Sequence, residues 1–114
     1  MPISTVVYVA GPYRSALPGG RDANVRRARE VAITLMRYGY SVICPHTMTH
    51  NWDGEVPDSA FLEQGCELAR RCDAVVLVEG WEQSEGTKAE MAAADAARVP
   101  VYQSVDELDR KSVV

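Results

Sequence analysis

The chain has 114 residues and a formal net charge of −4, with 46% hydrophobic and 25% charged residues, an ordinary balance for one globular domain spanning 1–114. No apolar run approaches the ~20 residues that a bilayer span needs, so no membrane partner is expected. The negative balance argues against generic affinity for a nucleic-acid polymer, whose backbone requires a positive field.

The first residues, Met1-Pro2-Ile3-Ser4-Thr5, carry neither a basic n-region nor an apolar h-region, and a cytoplasmic location is expected. Thr5 to Ala10 is a short, almost wholly apolar run ending at Gly11-Pro12, which suits a strand buried on both faces. A loop with Pro18-Gly19-Gly20 follows, and Asp22 is the expected N-cap of a helix. Val25, Ala28, Ala32, Leu35 and Met36 recur at helical spacing, and Gly39 is the expected stop. Ser41 to Cys44 reads as a second strand, ended by Pro45. Residues 46–57 are polar and loop-like, with room for a fifth strand.

Asp58 is a candidate cap for a second helix with Leu62, Cys66 and Ala69 on one face. Asp73 to Val78 is the clearest buried strand. An alanine-rich helix is expected over 84–97, a last strand over 99–102, and Ser104-x-x-Glu107 is a capping-box pattern that starts a short helix. Cys44, Cys66 and Cys72 sit in apolar segments without a C-x-x-C pair, so reduced core thiols are expected, with neither a disulfide framework nor a zinc site.

Strands alternating with helices imply right-handed crossovers. The expected fold class is α/β: a flavodoxin- or Rossmann-like three-layer sandwich around a four- to five-stranded parallel sheet. Ligands in such sheets bind at the carboxyl ends of the strands. That rule selects three segments.

The first is Gly11-Pro12-Tyr13-Arg14-Ser15, where Gly11 permits close backbone approach and Arg14 and Ser15 lean towards a phosphate or carboxylate. The second holds His46, His50, Trp52 and Asp53; a substrate-lining loop is favoured over a metal site, because helical spacing carries little weight in a loop. Trp52 suits stacking on a base or merely covering the loop. The third, Ser84-x-Gly86-Thr87-x-x-Glu90, lies where a buried strand passes into a helix. Helix-start amides with the Ser84 and Thr87 hydroxyls form an anion cradle. Glu90, about one turn in, can point back towards it, since helical side chains lean N-terminally. On spacing alone, an exposed helix glutamate explains Glu90 equally well. Arg26, Arg27 and Arg29 read as a solvated helix face.

Three stretches in order, Tyr8-Val9-Ala10-Gly11-Pro12, Arg71-Cys72-Asp73-Ala74-Val75-Val76-Leu77 and Gly80-Trp81-Glu82-x-Ser84-x-Gly86-x-x-x-Glu90, resemble the nucleoside 2-deoxyribosyltransferase superfamily. That group includes the deoxynucleoside 5'-monophosphate N-glycosidases and many small uncharacterised relatives, which this chain resembles most. The resemblance runs from Val7 to Tyr102. It implies that Glu90 attacks an anomeric carbon, that Tyr8 orients the carboxylate, and that Gly11 to Ser15 and Ser84 bind the sugar's 5' side or its phosphate. It implies a small-molecule nucleoside or nucleotide as partner, no cofactor, and a homo-oligomer.

One departure stands out. The relatives carry a substrate-contacting aspartate where this chain has Gly65, and that aspartate assists the departing base. Asp53, Asp58, Glu63 and Glu67 are the candidate substitutes. Asp73 begins its strand at the far end from the site and reads as structural. Gly86-Thr87-Lys88-Ala89-Glu90 is also similar to part of a motif of the phosphoribohydrolases in the lysine-decarboxylase-like group, which act on the same bond type. The expected function is cleavage or transfer of an N-glycosidic bond. The alternative is a nucleotide-binding module without catalysis, motivated by Gly65.

Overall fold

The computed structural model describes residues 5–112. Four strands alternate with five helices: β1 Val6–Ala10, α1 Gly20–Arg37, β2 Ser41–Ile43, α2 Pro45–Met48, α3 Asp58–Arg71, β3 Ala74–Leu77, α4 Glu85–Ala96, β4 Val101–Tyr102 and α5 Val105–Ser112. The strands form one parallel sheet in the order β2-β1-β3-β4. Val7 pairs with Ala74, Tyr8 with Val75 and Ala10 with Leu77.

Side chains alternate across a strand, so the register divides the core in two. Val7, Val9, Ala74, Val76 and Val78 face α1 and α5, where Ala28, Leu35 and Leu108 cover them. Tyr8, Ala10, Val75 and Leu77 face α3 and α4, against Ala69, Cys72 and Ala94. This is an α/β three-layer sandwich, and the parity that sends Val7 and Val9 one way sends Tyr8 the other. Each buried aliphatic side chain contributes about 1.5–3 kcal/mol through burial. Asp73 closes the amino-terminal end of the sheet: its Oδ2 accepts from the Val6 amide at 2.8 Å, and its own amide donates to the Val6 carbonyl at 2.8 Å.

Local chemistry moves several boundaries. Helix α1 starts before Asp22, because Gly19 takes a left-handed conformation (φ 71°) and its carbonyl already accepts from the Ala23 amide. Asp22 therefore lies in the first turn rather than at the cap. Likewise Asp58 is the first residue of α3, after Pro57. Residues 46–57 hold no fifth strand. Pro45, preset for a helix's first position, opens the short α2, and positive φ at Asn51 (68°) and Gly54 (85°) breaks extension, leaving one isolated bridge between Asp53 and Val56. Strands β3 and β4 are shorter than the apolar runs that contain them. Ser104 does cap α5, accepting from the Glu107 amide at 3.1 Å. No helix of the described residues is long and apolar enough to cross a membrane.

The chain leaves β1 for α1 on one face and enters β3 from α3 on the other. The crevice between the carboxyl ends of β1 and β3 is thus the sheet's switch point, the place where such folds leave room for a ligand.

Candidate active site

Glu90 and Tyr8 meet under this crevice. Tyr8 is fully buried, and its hydroxyl donates to Glu90 Oε2, joining the central strand to α4. The contact depends on Gly65 in the middle of α3. A Cβ at that position would penetrate well inside contact distance of Glu90 Oε2 and lie 2.8 Å from Tyr8 Oη. Glycine in a helix interior costs roughly 1 kcal/mol relative to alanine. Here the missing side chain is the space that the carboxylate occupies.

Burial pushes the Glu90 carboxyl up to about 7, while the Tyr8 hydrogen bond pulls it down. Burial, then the charge of Glu90, drives the Tyr8 phenol far above its ordinary range, so it stays a neutral donor. Glu90 accordingly shares its proton with solvent near neutral pH, a property of a nucleophile or an acid–base group.

Above the pair opens a cavity of about 390 Å³, within the range of small-molecule sites. One wall is the loop after β1, Gly11 to Arg14. Gly11 is required there by crowding: a Cβ would come within 2.5 Å of Val78 Cβ. The buried Asn24 amide holds this loop by donating to the carbonyl of Tyr13 at 3.2 Å. His46 is buried beneath it, with Nε2 at 2.9 Å from the Pro12 carbonyl. A carbonyl can only accept, so the proton sits on Nε2. Burial lowers the imidazole's pKa and keeps it neutral.

The opposite wall is the start of α4. Ser84 caps the helix, its Oγ accepting from the Thr87 amide at 3.1 Å and the Thr87 hydroxyl at 2.9 Å. Gly86 and Thr87 line the cavity beside it. Phe61 and Leu62, one turn before Gly65 on α3, provide an apolar side.

The mouth carries a charged network. Tyr13 Oη donates to Asp53 Oδ1 at 2.8 Å, and Arg21 Nη1 donates to Asp53 Oδ2 at 3.0 Å. Arg14 Nη2 donates to Asp58 Oδ1 at 2.7 Å, and its Nη1 lies 3.7 Å from Asp53 Oδ2. The Tyr13 hydrogen bond, then Arg21 and Arg14, hold the Asp53 carboxyl below its ordinary value.

The cavity therefore gathers Glu90, Gly11, Pro12, Tyr13, Arg14, His46, Asp53, Ser84, Gly86 and Thr87, all singled out in the sequence, with Tyr8 touching Glu90 from below. Ser15 is not among them. Its hydroxyl turns back to accept from the Leu17 amide at 3.1 Å, and it packs against Gly20. Trp52, 54% exposed, and His50 also lie outside the lining. Of the four carboxylates considered in place of a residue-65 aspartate, Glu67 pairs with Arg70 and Arg71, and Glu63 stands off the cavity; Asp53 and Asp58 line it. Sequence reasoning missed Phe61, and it gave Leu62 a core role rather than a place in the wall; Thr49, Gln83 and Glu85 lie in the selected segments Pro45 to Asp53 and Glu79 to Glu90 but were not picked out individually. A helix that exposes Leu62 one turn ahead of a glycine was the available signal for the apolar side.

No curated protein matches the chain. Residues 5–103 match the family model described as Domain of unknown function (DUF4406). That match takes in all four strands and every cavity residue, and the chain belongs to the DUF4406 family.

Proposed function

We propose that the protein cleaves or transfers the N-glycosidic bond of a nucleoside or nucleoside 5'-monophosphate, with Glu90 as nucleophile. The supporting observation is the Tyr8–Glu90 hydrogen bond at the floor of a cavity large enough for a nucleoside. Ionised Glu90 attacks the anomeric carbon as the carbon–nitrogen bond breaks. The electron pair leaves with the base, which then takes a proton from water. The glycosyl ester that results is opened by water, giving free sugar, or by a second base, giving transfer. Tyr8 orients the attacking oxygen. Gly11, Arg14, Ser84 and Gly86 surround the space for the sugar.

The test is base release from a panel of nucleosides and nucleotides by the wild type, Glu90→Ala and Tyr8→Phe. Glu90→Ala is expected to abolish release, and Tyr8→Phe to reduce it. Equal release by Glu90→Ala and wild type overturns the role of Glu90.

A second reading is a nucleotide-binding module without turnover. It is favoured by Gly65, which leaves α3 without a carboxylate at the cavity floor. Tight binding with no base release over long incubation selects it. Association into a homo-oligomer belongs to the proposal, supported by the exposed Met36, Tyr38, Met48 and Trp52. A monomer mass in sedimentation at micromolar concentration overturns that part.

A further inference from the structure

The charged side chains around the cavity decide which member of the proposed substrate class fits. Among the lining residues there is one cation, Arg14, against the four carboxylates of Asp53, Asp58, Glu85 and Glu90. That cation is engaged on both sides, by Asp58 at 2.7 Å and Asp53 at 3.7 Å. The next guanidinium, Arg21, is held on Asp53 at 3.0 Å. Two guanidinium groups thus face two carboxylates, and the mouth offers no net positive charge to a dianion. Of the nearby hydroxyls, Ser15 lies outside the lining, and Ser84 accepts from both the amide and the hydroxyl of Thr87, which leaves its own proton free to donate. That proton and the Glu85 and Gly86 amides at the start of α4, which have no partner within their helix, serve a hydroxyl as readily as a phosphate.

Building on the glycosidic reading, we infer that Asp53 and Asp58 are specificity determinants that exclude a 5'-phosphate, so that the substrate class is the uncharged nucleoside with a free 5'-hydroxyl. A phosphate entering beside Arg14 would displace at least one carboxylate from its guanidinium and leave it ionised next to a dianion. Like charges side by side repel, most at Asp53, whose side chain is 27% exposed, and less at Asp58, which at 74% exposure is screened by solvent. A hydroxyl requires no such exchange. It can donate to the free edge of Asp58 or accept from the α4 amides. Arg14 alone, read from the sequence, points towards phosphate; its partners reverse that reading.

The test uses matched pairs, each a nucleoside and its 5'-monophosphate, with kcat/KM for base release and Kd by calorimetry for the wild type and Asp58→Asn. The wild type is expected to favour the nucleoside by at least about tenfold, and Asp58→Asn, by freeing Arg14, to narrow that ratio by about tenfold. Added salt should improve monophosphate binding to the wild type by screening the carboxylates. A wild-type preference for the monophosphate, or an unchanged ratio in Asp58→Asn, overturns the inference and leaves the glycosidic reading standing. Neither binding nor turnover of any pair defeats the glycosidic reading and this inference together.

Discussion

Gly65 on α3 and Glu90 on α4 are packed so that the carboxylate of one fills the space a side chain of the other would need. This makes Gly65 a positioning residue for the proposed nucleophile. Gly65→Ala is expected to act on activity far more than on stability. Alanine gains about 1 kcal/mol of helix propensity. Against it stands the displacement of Glu90 Oε2, the mobile end of a flexible side chain, and of Tyr8 Oη, which a buried ring holds in place. We expect kcat/KM to fall on the order of 10²-fold, the usual consequence of misplacing a reacting group by about 1 Å. The melting temperature should shift by less than about 8 °C. Full activity in a folded Gly65→Ala protein would show that the close packing has no bearing on function.

The pH dependence of turnover follows from the same carboxyl. With Glu90 pushed up to about 7 by burial, only its ionised fraction can attack carbon. The kcat/KM profile should rise with unit slope through pH 5 and 6, bend near pH 7 and then level. At pH 5 the rate should be roughly 100-fold below the plateau, tenfold for each pH step. A profile that falls as pH rises through 7 would assign Glu90 to proton donation instead.

The raised carboxyl also burdens the fold. Unfolded, Glu90 ionises near the ordinary glutamate value of 4.5; folded, it does so near 7. Between those values the native state holds the extra proton, so its contribution to stability falls as pH rises from 4.5 to 7 and is level outside that window. Glu90→Gln keeps an oxygen to accept from Tyr8 and cannot ionise. Denaturation at pH 4 should find the two proteins similar. By pH 8 the variant should be more stable by on the order of 2–3 kcal/mol. A gap that does not change with pH would mean that Glu90 is solvated as an ordinary surface glutamate.

How much of this was legible in the sequence depends on how local each feature is. The strands announced themselves, because Val7-Tyr8-Val9-Ala10 and Ala74-Val75-Val76-Leu77 are apolar on both faces and bounded by turn residues. That same uniformity hides which face Tyr8 takes, and only pairing to Ala74 and Val75 resolves it. The Tyr8–Glu90 contact spans 82 positions, and no spacing rule reaches that far; a family resemblance placed the two together. The pairing of Arg14 and Arg21 with Asp53 and Asp58 was invisible, since it needs two loops and the first turns of two helices to converge. Gly65 looked like a deletion of function when read alone. In the fold it is the vacancy into which the carboxylate fits.

The departing base sets the last prediction. Among the described lining residues, the acidic groups and the Tyr13 and His46 donors are each engaged elsewhere, Glu85 with Lys88 at 3.9 Å. Asp53 is held below its ordinary value by Tyr13 and the two arginines, and Asp58 is ion-paired with Arg14. The Tyr13 hydroxyl donates to Asp53, and the His46 Nε2 proton lies on the Pro12 carbonyl. Glu90 must give up its proton in order to attack. The rate should therefore depend steeply on how well the base leaves unaided. A 7-methylguanine nucleoside, whose base is cationic before cleavage and neutral after it, should be cleaved at least about 10²-fold faster than the guanine nucleoside, the usual worth of a missing general acid. The anionic cavity adds to that preference by attracting the positive ring. Equal rates for the two, measured at saturating substrate with the glycosidic step shown to be limiting, would mean that a lining group does deliver a proton, and Asp58, a lining carboxylate at the start of α3, would be the first to replace.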